Sequence, residues 1–306
     1  MPRLSVILPA RNAEDTVARA VSSTLRALPS DAELVVLDDG STDNTADRAV
    51  EGGTSKGVVD KRLRVESEDT PGGIATALNW LLEHTDSAIV ARMDADDVSL
   101  PTRFRAELRA LDNGDDYVFP QVINVTGRKL SPAAPVPIPP TVFPLHLLLT
   151  NPVSHPAMVA RRHALDAVGG YREVPAEDYD LWMRAALDGA SLRRMATWGL
   201  LYSQHPGQIT ASESWRNSSW RNPAQAEVFT KLSQQLTGVA LQRIVAIALT
   251  PSDERTRLLA EFERAITPVI ARVPAPHRQF LQRKLRGRLR WAREFHNGGS
   301  IHENHL

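Results

Sequence analysis

Ala88-Ile-Val-Ala-Arg-Met-Asp-Ala-Asp-Asp-Val-Ser-Leu-Pro-Thr-Arg103 is the stretch from which the fold of this chain is read outward. It opens as a short apolar run, the pattern of a strand covered on both faces of a sheet, and closes on three nearby carboxylates, Asp94, Asp96 and Asp97. Like charges this close repel and raise each other's pKa unless something positive sits among them, so acids at a strand end point to a divalent cation. A hard ion such as Mn2+ or Mg2+ takes oxygen ligands and keeps positions open for phosphate. An acidic turn with a helix cap would explain the same residues without a metal, and the neighbouring segments have to decide.

Upstream, strands and helices alternate. Leu4–Leu8 has the pattern of a buried strand and Asp15–Leu28 that of a helix with Val17, Val21 and Leu25 on one face. Glu33–Asp39 is a second apolar strand ending in two acids, Asp38 and Asp39, and Gly40-Ser-Thr-Asp43 supplies a turn and cap for the helix carrying Thr45–Val50. Arg62–Glu66 is expected as a third strand, Gly73–Glu83 as a helix and Ile89–Met93 as the strand of the opening stretch. Repeats of this kind build a parallel sheet with right-handed crossovers, and ligands bind beyond the carboxyl ends of its strands. Both acid clusters fall at such ends, which places them on one rim. A dinucleotide-binding sheet would need a glycine-rich turn after the first strand, but Pro9-Ala-Arg-Asn-Ala-Glu14 contains no glycine, and no P-loop is present.

Composition narrows the class. A chain of 306 residues, 42% hydrophobic and 24% charged, can bury a large core and has room for one large domain with an appendage or for two modest domains. A formal net charge of +0 argues against a nucleic-acid binder built on bulk positive potential. The absence of cysteine removes disulfides, thiolate metal sites and cysteine nucleophiles. No basic and apolar leader precedes Leu4 and no apolar run reaches membrane length, so the expected location is the cytoplasm, or the inner face of the membrane as a peripheral protein.

Five segments in order carry a resemblance: Ser5-Val-Ile-Leu-Pro-Ala-Arg-Asn12, Leu37-Asp-Asp-Gly-Ser-Thr-Asp43, Gly73-Ile-Ala-Thr-Ala-Leu-Asn79, Ala91-Arg-Met-Asp-Ala-Asp-Asp97 and Gly169-Gly-Tyr-Arg-Glu-Val-Pro-Ala-Glu-Asp-Tyr-Asp-Leu-Trp182. Over about the first two thirds of its length the chain resembles the inverting family 2 glycosyltransferases of GT-A fold. The resemblance implies an α/β fold with a mostly parallel sheet flanked by helices, and a helical C-terminal extension. It divides the chain into a catalytic domain over 1–215, with a nucleotide-sugar half (1–112) and an acceptor half (113–215), and an extension over 216–306. It implies a metal-dependent transfer from a nucleotide-diphosphate sugar, a UDP-sugar being favoured, to an acceptor hydroxyl on a glycan or lipid-linked acceptor, in cell-surface glycan or polysaccharide synthesis. Pro9, Ala10, Arg11 and Asp39 are then nucleotide-binding positions, Asp96 a direct metal ligand, and Asp94 lies nearer the ribose or a metal-bound water. Asp97 either supports the ligands from behind or caps the following helix. The chain departs from many relatives in carrying Arg11 in place of an aromatic residue and Leu78 in place of an arginine. Arg92 and Arg103 are nearby cations, for donor contact or for simple charge pairing.

Ala176-Glu-Asp-Tyr-Asp-Leu-Trp-Met-Arg-Ala-Ala-Leu187 begins with three acids and continues as an amphipathic helix. Acids at a helix start are favoured by the dipole alone. The resemblance makes Asp178 the general base, with Glu177 and Asp180 orienting the acceptor or neighbouring cations and Trp182 either core or acceptor platform. His155 is a turn residue or an acceptor contact, and by resemblance His205 approaches the metal or diphosphate. Zinc is disfavoured, since no second His or Cys has ligand spacing.

Ser131–Pro144 is too proline-rich for a helix or central strand and is expected as an extended surface loop, a lid or a connector. Beyond Asn222 the pattern is helical, and 279–295 is a basic amphipathic helix that either meets an anionic leaflet, or packs on its own domain or in a homodimer. Residues 298–306 are expected to fray. Two other functions share the pattern: a sugar-nucleotide nucleotidyltransferase, which lacks its glycine- and basic-rich triphosphate loop here, and a non-catalytic sugar-nucleotide-binding scaffold.

Overall fold

The computed structural model describes residues 2–205 and 213–295, so the fraying expected of 298–306 lies outside the described residues. In chain order the elements are β1 (Leu4–Ala10), α1 (Val17–Ala27), β2 (Ala32–Asp39), α2 (Thr45–Gly52), β3 (Thr54–Ser55), β4 (Val58–Val59), β5 (Leu63–Glu68), α3 (Ile74–Glu83), β6 (Ile89–Arg92), β7 (Val98–Ser99), α4 (Arg103–Asp112) and β8 (Tyr117–Thr126). There follow β9 (Lys129–Pro132), α5 (Phe143–Leu147), β10 (Val159–Arg161), α6 (Arg162–Ala167), α7 (Glu177–Leu187), β11 (Leu192–Ser203), α8 (Glu213–Trp220), α9 (Pro223–Thr237), α10 (Ile244–Ile247), α11 (Ser252–Ala271) and α12 (His277–Glu294).

The large sheet runs β5-β2-β1-β6-β10-β8-β11-β7, with β9 added to β8. Its first four strands are parallel, as the alternating pattern predicts. β10 is antiparallel to both neighbours, and β11 returns parallel to β8. All seven residues of β1 are buried, the signature of a central strand covered on both faces. α1 lies on that sheet through Val17, Ala20, Val21 and Leu25, in one apolar cluster with Leu4, Val6, Leu8, Val36 and Phe104.

Contacts divide the chain into two compact units, one comprising Met1–Pro139, Val153–Glu173 and Ala190–Gln208, the other Pro140–Pro152, Val174–Gly189 and Ile209–Leu306. Among the described residues, every strand belongs to the first unit. α7 belongs to the second, with α5 and α8 to α12. There Trp182, Phe229, Phe262, Leu281 and Leu289 are buried. α12 turns Leu281, Leu285, Leu289 and Ala292 inward, and Trp291 meets Trp220 edge to face at 5.7 Å. Its opposite face leaves Arg283, Arg286 and Arg290 exposed.

Three expectations change. The proline-rich stretch is not wholly loop: its first residues close β9, an edge strand where a proline is tolerated, and Ile138 bridges to Arg194. Asp97 caps no helix, because the residue preceding α4 is Thr102 and Asp97 is fully buried. Arg103 is no donor contact, since it is 1% exposed with its guanidinium spent on the interior. Among the described residues no helix is long and apolar enough to cross a membrane.

Candidate active site

The carboxyl ends of β2, β1 and β6 lie side by side, because the three strands are adjacent and parallel. At a strand spacing near 4.8 Å, β2 and β6 stand about 10 Å apart. Asp38 and Asp39 end the first of these strands, and Asp94 to Asp97 follow the last.

Two loops at this rim are stapled together. Asn12 takes a left-handed φ of 48°, which asparagine tolerates. Its N–H donates to Ser41 Oγ (2.9 Å), its Oδ1 accepts from Thr42 N–H (2.9 Å), and Ala13 N–H donates to Thr45 Oγ1 (2.7 Å). Asp38 Oδ1 accepts from Ser41 N–H at 3.1 Å. The two oxygens of Asp39 accept from the N–H groups of Gly72 and Gly73 at 2.7 and 3.0 Å, which fixes the plane of its carboxylate. Gly40 has φ 66°, and a Cβ there would stand 2.7 Å from Pro71 N. Pro9 and Ala10 are buried at the end of β1, whereas Arg11 is exposed.

Asp94, Asp96 and Asp97 each offer an oxygen within 4.8 Å of the others. Asp94 Oδ1 pairs with Arg92 Nη2 at 2.9 Å, and His205 Nε2 lies 3.1 Å from Asp96 Oδ2. Asp97 Oδ1 accepts from Ser203 N–H (2.8 Å), while Ser203 Oγ donates to Asp96 O (2.6 Å), so the end of β11 is tied to the acid turn. Burial, and then the charges of Asp94 and Asp96, push the Asp97 carboxyl well above the usual range. Asp97 Oδ2 is buried without a hydrogen-bond partner. An orphaned carboxylate oxygen beside two more carboxylates and an imidazole is a donor set that fits a hard divalent cation. Asp96, Asp94 and His205 would hold it.

Behind this turn Arg103 donates from Nη2 to Arg92 O and Pro156 O, both at 2.8 Å, and from Nε to Glu107 at 3.4 Å. Burial raises the Glu107 carboxyl to about 7 against the opposing charge of Arg103. These contacts hold the backbone that presents the acids.

In the helical unit, α7 is entered through Ala176, a non-glycine residue at φ 56° and ψ 54°. Glu177, Asp178 and Asp180 occupy its first turn. Asn151 Nδ2 donates to Asp178 Oδ2 at 2.7 Å. Asp180 is fully buried and takes Arg184 Nε at 2.7 Å, an arrangement that orients a cation rather than offering oxygen to a substrate. Trp182 is fully buried and serves as core. His155 is buried with its Nε2 3.0 Å from Tyr171 Oη, a structural pairing.

The sheet unit thus gathers Pro9, Ala10, Arg11, Asp39, Asp94, Asp96 and His205 at one rim, and the helical unit carries Glu177, Asp178 and Asp180 on one helix start. Sequence reasoning missed Asn151, Ser203 and the Gly72–Gly73 clamp. The tandem glycine was a visible signal of close backbone approach; nothing in the sequence marks the other two as contacts.

The family model described as "Glycosyl transferase family 2" matches residues 5–166. EpsE of Bacillus subtilis (strain 168) is 29% identical over 200 residues, 61% of this chain and 68% of the relative. The succinoglycan biosynthesis protein ExoU of Rhizobium meliloti (strain 1021) is 32% identical over 216 residues, 63% of this chain and 60% of the relative. The crystal structure of S. aureus TarS 1-349 in complex with UDP-GlcNAc superposes with a TM-score of 0.61 at 19% identity, covering 96% of this chain and 91% of that one, which shows a shared fold.

Proposed function

This chain belongs to glycosyl transferase family 2, and we propose that it is a metal-dependent inverting enzyme that moves a sugar from a nucleotide-diphosphate donor to an acceptor hydroxyl in surface polysaccharide synthesis. The observation that carries this reading is the cluster of Asp94, Asp96 and Asp97 at the end of β6, two strands from the Asp39 clamp at the end of β2. ExoU's role in succinoglycan biosynthesis supports the polysaccharide assignment. TarS, solved with UDP-GlcNAc on the same fold, supports a uridine nucleotide. We assign the donor to the half over 1–112, the acceptor to 113–215, and a supporting role to 216–306.

The roles follow from chemistry. Asp39, its plane set by two backbone N–H groups, has lone pairs left to accept from the imide of the base, and the backbone of Pro9 and Ala10 lines the same rim beside Arg11. Asp96, Asp94 and His205 would hold Mn2+ or Mg2+, which would supply positive charge to offset that of the departing diphosphate. The acceptor hydroxyl attacks the anomeric carbon from the face opposite the diphosphate. As the new C–O bond forms, the bond to the diphosphate oxygen breaks and Asp178 takes the hydroxyl proton. Asn151 holds one oxygen of Asp178 and thereby aims the other. Glu177, at the same helix start, is assigned to the acceptor side. Asp180 acts through Arg184.

For a lipid-linked acceptor, the exposed Arg283, Arg286 and Arg290 of α12 provide a basic stripe that meets an anionic leaflet from the cytoplasmic side. The apolar side of that helix is already buried in its own unit, so the contact is electrostatic.

The test is a thermal-shift screen of UDP, GDP and dTDP and their sugars with and without Mn2+. A ligand at 100 times its Kd adds about 2.7 kcal/mol to the folded state. Uridine nucleotides are expected to raise Tm strongly only when Mn2+ is present. Indifference to every nucleotide diphosphate in the presence of Mn2+ would refute the donor assignment.

A further inference from the structure

Resting on the assignment of Asp178 as base, we propose that Gln225, backed by Arg243, is the positioning residue that sets the Asp178 carboxylate, acting through the backbone that leads into α7. Ala176 sits in the left-handed region immediately before Glu177 and Asp178. An alanine held there is strained and persists only where its surroundings impose it.

What imposes it is a side chain from a distant part of the sequence. Gln225 is fully buried on α9, and its Nε2 donates to Pro175 O and to Ala176 O, the latter at 3.0 Å. Its Oε1 accepts from Arg243 Nη1 at 2.8 Å, and the same nitrogen donates to Ser219 O at 3.0 Å. Asn222 Oδ1 caps α9 by accepting from Gln225 N–H at 3.1 Å, which fixes the helix turn that carries the glutamine. The Arg243 guanidinium lies 5.1 Å from the ring centroid of Tyr179, the residue after Asp178, and Tyr179 Oη donates to Leu147 O.

An amide with both donor and acceptor capacity is what this position needs: it must donate to two carbonyls on one side and accept from a buried cation on the other. The amide nitrogen of Gln225 is thus spent on a strained turn beside the base and its oxygen on Arg243. Packing alone asks for nothing of the kind, since a leucine would fill the same space. Asn151 then holds one carboxylate oxygen of Asp178. Backbone and carboxylate are clamped from separate segments, which is the preorganisation a general base requires.

The proposal is tested in the full chain with Mn2+, by the release of nucleotide from whichever of UDP-glucose, UDP-N-acetylglucosamine and GDP-mannose wild type cleaves fastest, water standing in for the acceptor hydroxyl. Gln225→Glu keeps the partner of Arg243 and removes both donors to the turn; Gln225→Leu removes all. Each is expected to lower kcat by roughly 10- to 100-fold with donor KM within about threefold. Ala176→Gly, which adopts the turn without strain, is expected to restore most of the loss in Gln225→Glu. Combining Gln225→Glu with Asp178→Asn is expected to cost no more than Asp178→Asn alone, because the glutamine acts through the aspartate.

Independently of turnover, hydrogen exchange in a peptide spanning 174–181 should be faster in Gln225→Glu and return toward wild type with Ala176→Gly. Unchanged exchange, additive losses in the double variant, or no recovery with glycine would overturn the positioning role. A near wild-type rate in Asp178→Asn would instead overturn the base assignment on which it rests.

Discussion

Asp96 and Glu107 show how differently two carboxylates near one strand end behave. Asp96 is half open, beside His205 and two further acids, and is the residue whose loss should weaken a cation most. In calorimetric Mn2+ titrations Asp96→Asn is expected to lose at least about 100-fold in affinity and His205→Ala about tenfold, by loss of ligands of unequal charge. Equal affinity in all three proteins would remove the metal site. Glu107 is buried, and its carboxyl titrates near 7 when folded against 4.5 ordinarily. The folded chain therefore keeps this proton where the unfolded chain has released it. The stability it contributes is complete below pH 4.5 and is lost as pH rises toward 7. Relative to Glu107→Gln, wild type should lose on the order of 3 kcal/mol across that window, read from paired melting curves. A constant gap between the two proteins would contradict it.

Among the elements, the turn after β2 combines a positive φ with a close backbone approach. Gly40→Ala must place a methyl at positive φ against the backbone of Thr70 and Pro71, atoms that cannot swing aside. It should destabilise by about 1–3 kcal/mol in denaturant titration and weaken UDP binding, because Asp39 and the Gly72–Gly73 clamp move with it. Unaltered stability would mean that the turn opens easily. The sequence made these elements legible where burial imposes a period: β1, β2, β6, α1, α3 and α7 all lie within a few residues of their expected places. The two-residue strands β3, β4 and β7 are too short to leave a period. The antiparallel insertion of β10 depends on a long return that local pattern does not encode. Strand ends and helix starts marked the carboxylates proposed to act, Asp39, Asp94, Asp96 and Asp178. Contacts that span the chain, such as Asn151 to Asp178 or Ser203 to Asp97, have no local signature. The burial of Arg103 was equally hidden, since a flanking arginine looks the same whether it faces solvent or core.

At the scale of the whole molecule, a formal net charge of +0 means that no overall field draws the chain to an anionic surface. The membrane contact proposed above would then rest on the local stripe of Arg283, Arg286 and Arg290, worth about 1 kcal/mol per residue near the leaflet. Wild type should sediment with phosphatidylglycerol vesicles at low salt and be released by about 0.5 M salt, while the triple change of these arginines to glutamate should abolish binding. Salt-independent sedimentation would assign the contact to another surface. Asp178 on α7 is proposed to take the proton of the acceptor hydroxyl. The most direct test is sugar transfer by purified protein under saturating Mn2+ and donor, comparing wild type with Asp178→Asn. The account predicts a fall in kcat of roughly 100- to 10,000-fold with donor KM little changed; a rate within about twofold of wild type would contradict it.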